Sequence, residues 1–292
     1  MKVVSRDWVW KGWQVRYGFS IGDTCDPNNI PMLLIHGFGA SSNQWHHSVQ
    51  SLGHHHPVYT IDLVGFGESQ KVAASYNVAL WTEQVYEFWR SFIGRPSVVV
   101  GHSLGALVSA TLASEFPEAV KALVLMTLPA TRQEQLSSAW AQNLVSFVEK
   151  SVANPLLIRL IFNIARQRRV IRSALKASYS NQSYVTDSVI DSFVKPTLDR
   201  GAAQTLCRLT QAATTTSYSK SRSMLLSQVK QPILLMWAED DRITPIAQSQ
   251  NLHQEFPTIT WKPIPNAGHC FYDECADIIN PLMTSWIKAQ VL

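Results

Sequence analysis

The chain has 292 residues, of which 46% are hydrophobic and 16% charged, with a formal net charge of +4. This length and balance suit one large globular domain with an insertion, or two modest ones, and exclude a disordered chain. The four cysteines (Cys25, Cys207, Cys270, Cys275) form no C-x-x-C pair, so neither a disulfide framework nor a zinc site is expected. The N-terminal MKVVSRDWVWKGW lacks the apolar core of a signal peptide, and no run of about 18 apolar residues occurs, which predicts a cytoplasmic protein without a membrane span. No nucleic-acid partner is expected.

Residues 8–21 read as a hairpin, with Trp8, Trp10, Trp13, Val15 and Tyr17 around a Lys11-Gly12 turn. Met32–Ile35 is a short apolar strand ending in His36-Gly37-Phe38-Gly39, and Val58–Leu63 is another, running into Gly65-Phe66-Gly67. From Tyr76 to Phe92, Trp81, Val85, Phe88, Trp89 and Phe92 recur at helical spacing. Val98, Val99 and Val100 then form a strand that passes through Gly101, His102, Ser103 and Leu104 into a helix ending before Pro117. Lys121–Met126, Pro232–Trp237 and Ile259–Ile264 are the remaining strands, and a C-terminal helix closes the chain. Strands alternating with helices call for a mostly parallel sheet covered on both faces, with its sites at the carboxyl ends of the strands.

Residues 130–230 break this rhythm. They contain helix-like patches such as Leu156–Arg169 but no convincing buried strand. They hold 14 Lys and Arg against 5 Asp and Glu, a surplus of +9, so the rest of the chain carries −5 of the +4 total. A stretch this long is read as an inserted helical cap between core segments 1–129 and 231–292. Trp140, Leu144, Phe147, Val148, Leu157, Leu160, Ile161 and Phe162 have spacings suited to apolar helix faces that line a substrate mouth. The basic run Arg166, Arg168, Arg169 and Arg172 suits contact with an anionic membrane surface or an anionic substrate, or else a solvated helix face.

The strand-to-helix junction at Ser103 is the most informative stretch. A turn this sharp leaves no room for side chains two positions either side of its apex, where Gly101 and Gly105 stand. The apex hydroxyl is pushed above the sheet, and the helix that follows aims free N–H groups at the same point. Such a serine needs a base and an orienting acid. Of nine histidines, His269 alone follows the last strand through a glycine-containing turn, Asn266-Ala267-Gly268. His54, His55 and His56 read as a polar loop, His46 and His47 as helical, His36 as ordering its glycine turn, His102 as buried beside the apex and His253 as a surface residue. Asp240 and Asp241 follow Trp237, and spacing alone leaves both open as the acid.

Taken together, HGFGAS (36–41), DLVGFGES (62–69), GHSLG (101–105), WAEDDRITP (237–245) and NAGHCFYDE (266–274) resemble the α/β-hydrolase superfamily, with Ser, Asp and His in its chain order. The resemblance implies an eight-stranded, mostly parallel sheet with helices on both faces and an inserted cap. It also implies Ser103 as nucleophile, His269 as base and Asp241, four residues after the aromatic that ends its strand, as the acid. The backbone N–H groups of Phe38 and Leu104 correspond to the family's oxyanion donors, while His36, Gly37, Gly101, His102 and Gly105 build the turns. Ala106 stands where many relatives carry another glycine. No cofactor or metal is implied. HGFGASSNQW and DLVGFGES are similar to the pheophytinase and chlorophyll-dephytylase group, which often has asparagine in place of His102. The activity implied is hydrolysis of a carboxylic ester of a hydrophobic small molecule. Carbon–carbon bond hydrolases, cofactor-free perhydrolases and triad-bearing receptors of small ligands share the pattern, whereas epoxide hydrolases and haloalkane dehalogenases use aspartate where this chain has Ser103.

Overall fold

The computed structural model of the chain describes residues 3–135 and 155–291. Eight strands, β1 (Val4–Trp10), β2 (Trp13–Ser20), β3 (Met32–Ile35), β4 (Val58–Ile61), β5 (Ser97–His102), β6 (Val120–Met126), β7 (Ile233–Ala238) and β8 (Thr260–Ile264), form one sheet in the order β1-β2-β4-β3-β5-β6-β7-β8. β1 and β2 pair antiparallel, as do β2 and β4, and every other neighbour is parallel. The β1–β2 turn takes positive φ at both Lys11 (51°) and Gly12 (80°), the backbone twist that tight hairpins favour.

The core helices are α1 (His46–Leu52), α2 (Val78–Phe92) and α3 (Leu104–Glu115). Between β6 and β7 the described residues form helices and turns only: α4 (Arg132–Gln135), α5 (Pro155–Ala165), α6 (Arg168–Ser178), α7 (Asp187–Val194), α8 (Ala202–Ala213) and α9 (Arg222–Gln228). Then come α10 (Ala247–Glu255), the one-turn α11 (Phe271–Glu274) and α12 (Ala276–Gln290). Asn77 caps α2, its side chain accepting from Leu80 N at 2.8 Å, and Trp81, Val85 and Phe88 turn one face of that helix inward.

The strands read as continuous apolar runs because both faces of the sheet are buried. Leu33, Ile35, Val99, Leu123, Leu125, Leu235 and Trp237 pack into one core with α2 and α3. Met32, Leu34, Val98, Val100, Val124, Leu234 and Met236 pack into the other with α1 and α12. Each such aliphatic side chain contributes about 1.5–3 kcal/mol.

Beyond shifts of a few residues at other element ends, three local features depart from the sequence reading. β4 ends at Ile61; the Asp62 N–H still donates to Arg16 O of β2 at 2.9 Å, while its carboxylate organises the loop that follows. The patch Leu156–Arg169 divides at Gln167, whose extended backbone (φ −65°, ψ 132°) separates α5 from α6, a break that an uninterrupted apolar spacing does not record. His56 is buried rather than in a polar loop, its Nδ1 donating to the Ile30 carbonyl at 2.8 Å. The expected cap residues Trp140, Leu144, Phe147 and Val148 lie outside the described residues. Of the others, Phe162 is buried, whereas Leu160 and Ile161 are exposed.

Candidate active site

Ser103 occupies the single residue between β5 and α3, with φ 52° and ψ −115°. This is a strained backbone for a residue with a side chain, and it persists only where the surroundings hold it. Its N–H donates to Met126 O at 2.9 Å, fastening the turn to β6. A Cβ at Gly101 would collide with the Gly105 carbonyl and Ser109 Oγ, and one at Gly105 with the Ile35 and His36 carbonyls. Only glycine lets α3 descend this close to β3 and β5.

Gly37 lies against the same apex, where an added Cβ would come within 3.3 Å of Ser103 Cβ. The neighbouring Phe38 N–H and the first N–H of α3, Leu104, have no acceptor among the described residues. His36 holds this turn from beneath. Its Nδ1 donates to Gly37 O at 2.7 Å and its Nε2 accepts from Leu63 N at 3.0 Å, which joins the turns after β3 and β4. Burial keeps this imidazole below its ordinary pKa and neutral.

His269 arrives from the turn after β8, helped by Asn266 at φ 54°. Its Nδ1 donates to Asp241 Oδ2 at 2.8 Å, with the carboxylate buried and the ring nearly so. Asp241 is itself fixed: Oδ1 accepts from Ile243 N at 2.8 Å and Thr244 N at 2.7 Å, while Thr127 Oγ1 lies 3.4 Å from Oδ2. Asp240 is exposed, its carboxylate making a 3.5 Å contact with Ser180 Oγ while its N–H donates to Ala267 O at 3.0 Å. His102 bridges the two halves of the site. Its Nε2 donates to His269 O at 3.0 Å, its ring packs 4.7 Å from that of His269, and burial pushes its pKa well down. Among the described residues no hydrogen bond joins Ser103 Oγ to His269 Nε2, a contact that commonly tightens only when substrate binds.

Two buried carboxylates in the supporting shell have no distinctive sequence signal. Asp62 accepts from Ser42 N at 2.6 Å and Glu68 N at 2.7 Å, fastening the two glycine-rich loops together. Glu274 accepts from Gly268 N, Ser180 N and Asn181 N, holding the His269 turn and the segment after α6. Their positions inside DLVGFGES and NAGHCFYDE are the only available clue. An apolar slot of about 100 Å³ opens beside Phe38, lined by Phe66, Phe162, Phe193, Leu206 and Leu209. The four arginines of the basic run find partners within the chain: Arg168 pairs with Asp187 and Asp191, Arg172 with Asp187, Arg169 with Gln167, and Arg166 lies over the Phe162 ring.

Residues 30–275 match the family model of the alpha/beta hydrolase fold. Among curated proteins, the chloroplastic pheophytinase of Arabidopsis thaliana is 25% identical over 316 residues, covering 90% of this chain and 62% of its own length. The dihydrolipoyllysine-residue acetyltransferase component of the acetoin cleaving system of Pseudomonas putida is 24% identical over 259 residues, covering 88% of this chain and 63% of its own. The chain thus spans less than two thirds of the length of these two relatives. A solved serine hydrolase involved in carbazole degradation shares the fold, with a TM-score of 0.79 at 19% identity over 99% of this chain and 100% of the other. The family match runs from just before the first parallel strand to the turn beyond His269, and this chain belongs to the alpha/beta hydrolase fold family.

Proposed function

We propose that the protein is a serine hydrolase cleaving a carboxylic ester of a hydrophobic small molecule, with Ser103, His269 and Asp241 as its triad. The observation that carries this reading is a convergence at one sheet edge. A positive-φ serine, two unengaged N–H groups and an imidazole oriented by a buried carboxylate lie at the carboxyl ends of four parallel strands, β3, β5, β7 and β8. Because Nδ1–H of His269 is committed to Asp241, the lone pair sits on Nε2. Nε2 takes the Ser103 hydroxyl proton as Oγ bonds to the ester carbon. The carbonyl oxygen becomes an oxyanion stabilised by Phe38 N–H and Leu104 N–H, each contributing about 3 kcal/mol in the transition state. Collapse expels the alcohol, which leaves with the proton from His269, and water repeats the sequence on the acyl-enzyme.

The apolar slot beside Phe38 supports a greasy acyl or alcohol part. The segment 130–230 acts as the cap over this mouth. Its exposed Leu160, Ile161 and Ile164, beside the basic run, support transient contact with an anionic membrane surface. A fluorophosphonate probe should label the wild-type chain and leave Ser103→Ala unlabelled. Ester turnover by that variant should fall by about 10⁵- to 10⁶-fold. Equal labelling of the two proteins would refute the assignment.

A further inference from the structure

Outside this site, one trio of side chains among the described residues gathers the donor atoms that a metal ion requires. His46 and His47 open α1, and Asp273 lies in α11, with one ligand atom from each within 4.8 Å of the others. They border an open cavity of about 310 Å³ that Ser183, Tyr184 and Val189 also line, at the seam between the core and the inserted helices.

Asp273 gives the cluster its direction. The residue is 5% exposed, and its Oδ2 accepts from Tyr179 Oη at 2.8 Å. Its Oδ1 is buried without a hydrogen-bond donor, 3.5 Å from His47 Nε2. A carboxylate oxygen taken out of water and left without a donor is costly unless a cation compensates it. The adjoining rings lie 3.8 Å apart, so both imidazoles sit on the same side of the cluster. His46 Nδ1 donates to Asn43 O at 3.1 Å, which leaves Nε2 as its free acceptor nitrogen. Both the carboxylate and this imidazole therefore already have the outer partners that orient metal ligands.

We infer that His46, His47 and Asp273 bind a divalent transition-metal ion of the zinc class, with water completing its coordination. Metal–ligand bonds of about 2.0–2.2 Å place tetrahedral ligand atoms roughly 3.3–3.6 Å apart. The His47–Asp273 pair already has that spacing, and a ligand atom of exposed His46 lies within 4.8 Å of both. Two nitrogens and one oxygen select zinc-like ions over magnesium or calcium, which take oxygen-rich sites. Sequence spacing hides the site, because two adjacent histidines and an aspartate near the other end of the chain carry no ligand signature.

The test is calorimetric titration of the full chain, freed of metal by chelation, with Zn²⁺ alone and with Mg²⁺ alone. One Zn²⁺ per chain should bind, the melting temperature should rise with it, and Mg²⁺ should do neither. The double variant His46→Gln, His47→Gln should lose at least about 100-fold in Zn²⁺ affinity while unfolding as cooperatively as wild type. Tyr179→Phe, which removes only the outer partner of Asp273, should weaken binding roughly 10- to 100-fold. The double variant His54→Gln, His55→Gln, which thins the histidine run, should bind as wild type does. Absence of Zn²⁺ binding, binding that survives in the His46/His47 variant, or binding lost only in the His54/His55 variant would overturn the inference.

Discussion

Asp240 and Asp241 differ by one position and by everything that matters chemically. Asp241 is buried with both oxygens engaged, whereas Asp240 faces solvent. Asp241→Asn should lower ester turnover by roughly 10⁴-fold with the fold retained, since the amide cannot hold the required imidazole tautomer. Asp240→Asn should change turnover little, and steady-state kinetics showing the opposite order would reverse the assignment. His36 and His102 set a pH dependence of stability. Burial lowers both imidazole pKa values, well down for His102 where His269 adds repulsion. The unfolded chain therefore takes up protons near pH 6.5 that the folded chain refuses. Stability from these groups is complete above that pH and is lost as pH falls toward their folded values, with a slope of up to about 1.4 kcal/mol per pH unit each. Thermal unfolding should be level from about pH 7 to 8 and decline below about pH 6.5. His102→Asn should make that decline shallower, and a wild-type melting temperature that stays flat across the window would contradict the reading.

At the level of elements, the β5–α3 junction depends on two glycines that cannot be replaced without moving backbone. The nearest obstacles are main-chain carbonyls, that of Gly105 at Gly101 and those of Ile35 and His36 at Gly105, which have no rotamer to change. Gly105→Ala should cost at least the roughly 1–3 kcal/mol typical of overpacking, measured by denaturant unfolding. Activity should fall further, because the Leu104 N–H moves with the helix. Ala106→Gly, one position along, should lose only about 1 kcal/mol through helix propensity. Equal stability losses in the two variants would show that the junction has slack.

Across the whole molecule, charge and greasiness are segregated. The surplus of +9 falls in residues 130–230, and exposed Leu160, Ile161 and Ile164 share one side of α5. Esters of medium and long acyl chains, and a phytyl ester, should therefore be hydrolysed in preference to acetates. Since Arg168 and Arg172 are already paired with Asp187 and Asp191, association with anionic vesicles should be modest and should weaken with salt. Ile161→Glu with Ile164→Glu should weaken it further without altering acetate hydrolysis. Preference for acetate, together with no vesicle association at low salt, would refute both halves of the cap proposal. Among the described residues no helix is long and apolar enough to cross a membrane.

The amino-acid sequence by itself determined the strands, the glycine-flanked serine and the family resemblance. Those features are local: short apolar runs bounded by glycine turns, a turn too tight for side chains, and short motifs in chain order. Spacing alone left Asp240 and Asp241 open and the resemblance pointed to Asp241, whose contact with His269 the structure displays; tertiary structure alone decided that Asp62 and Glu274 pin the loops and that the basic run finds acids on α7. It also brought Asp273 beside His46 and His47. A hydrogen-bond or ligand partner is chosen by where buried polar atoms end up after the strands have stacked, and residues that meet across the fold leave no periodicity along the chain.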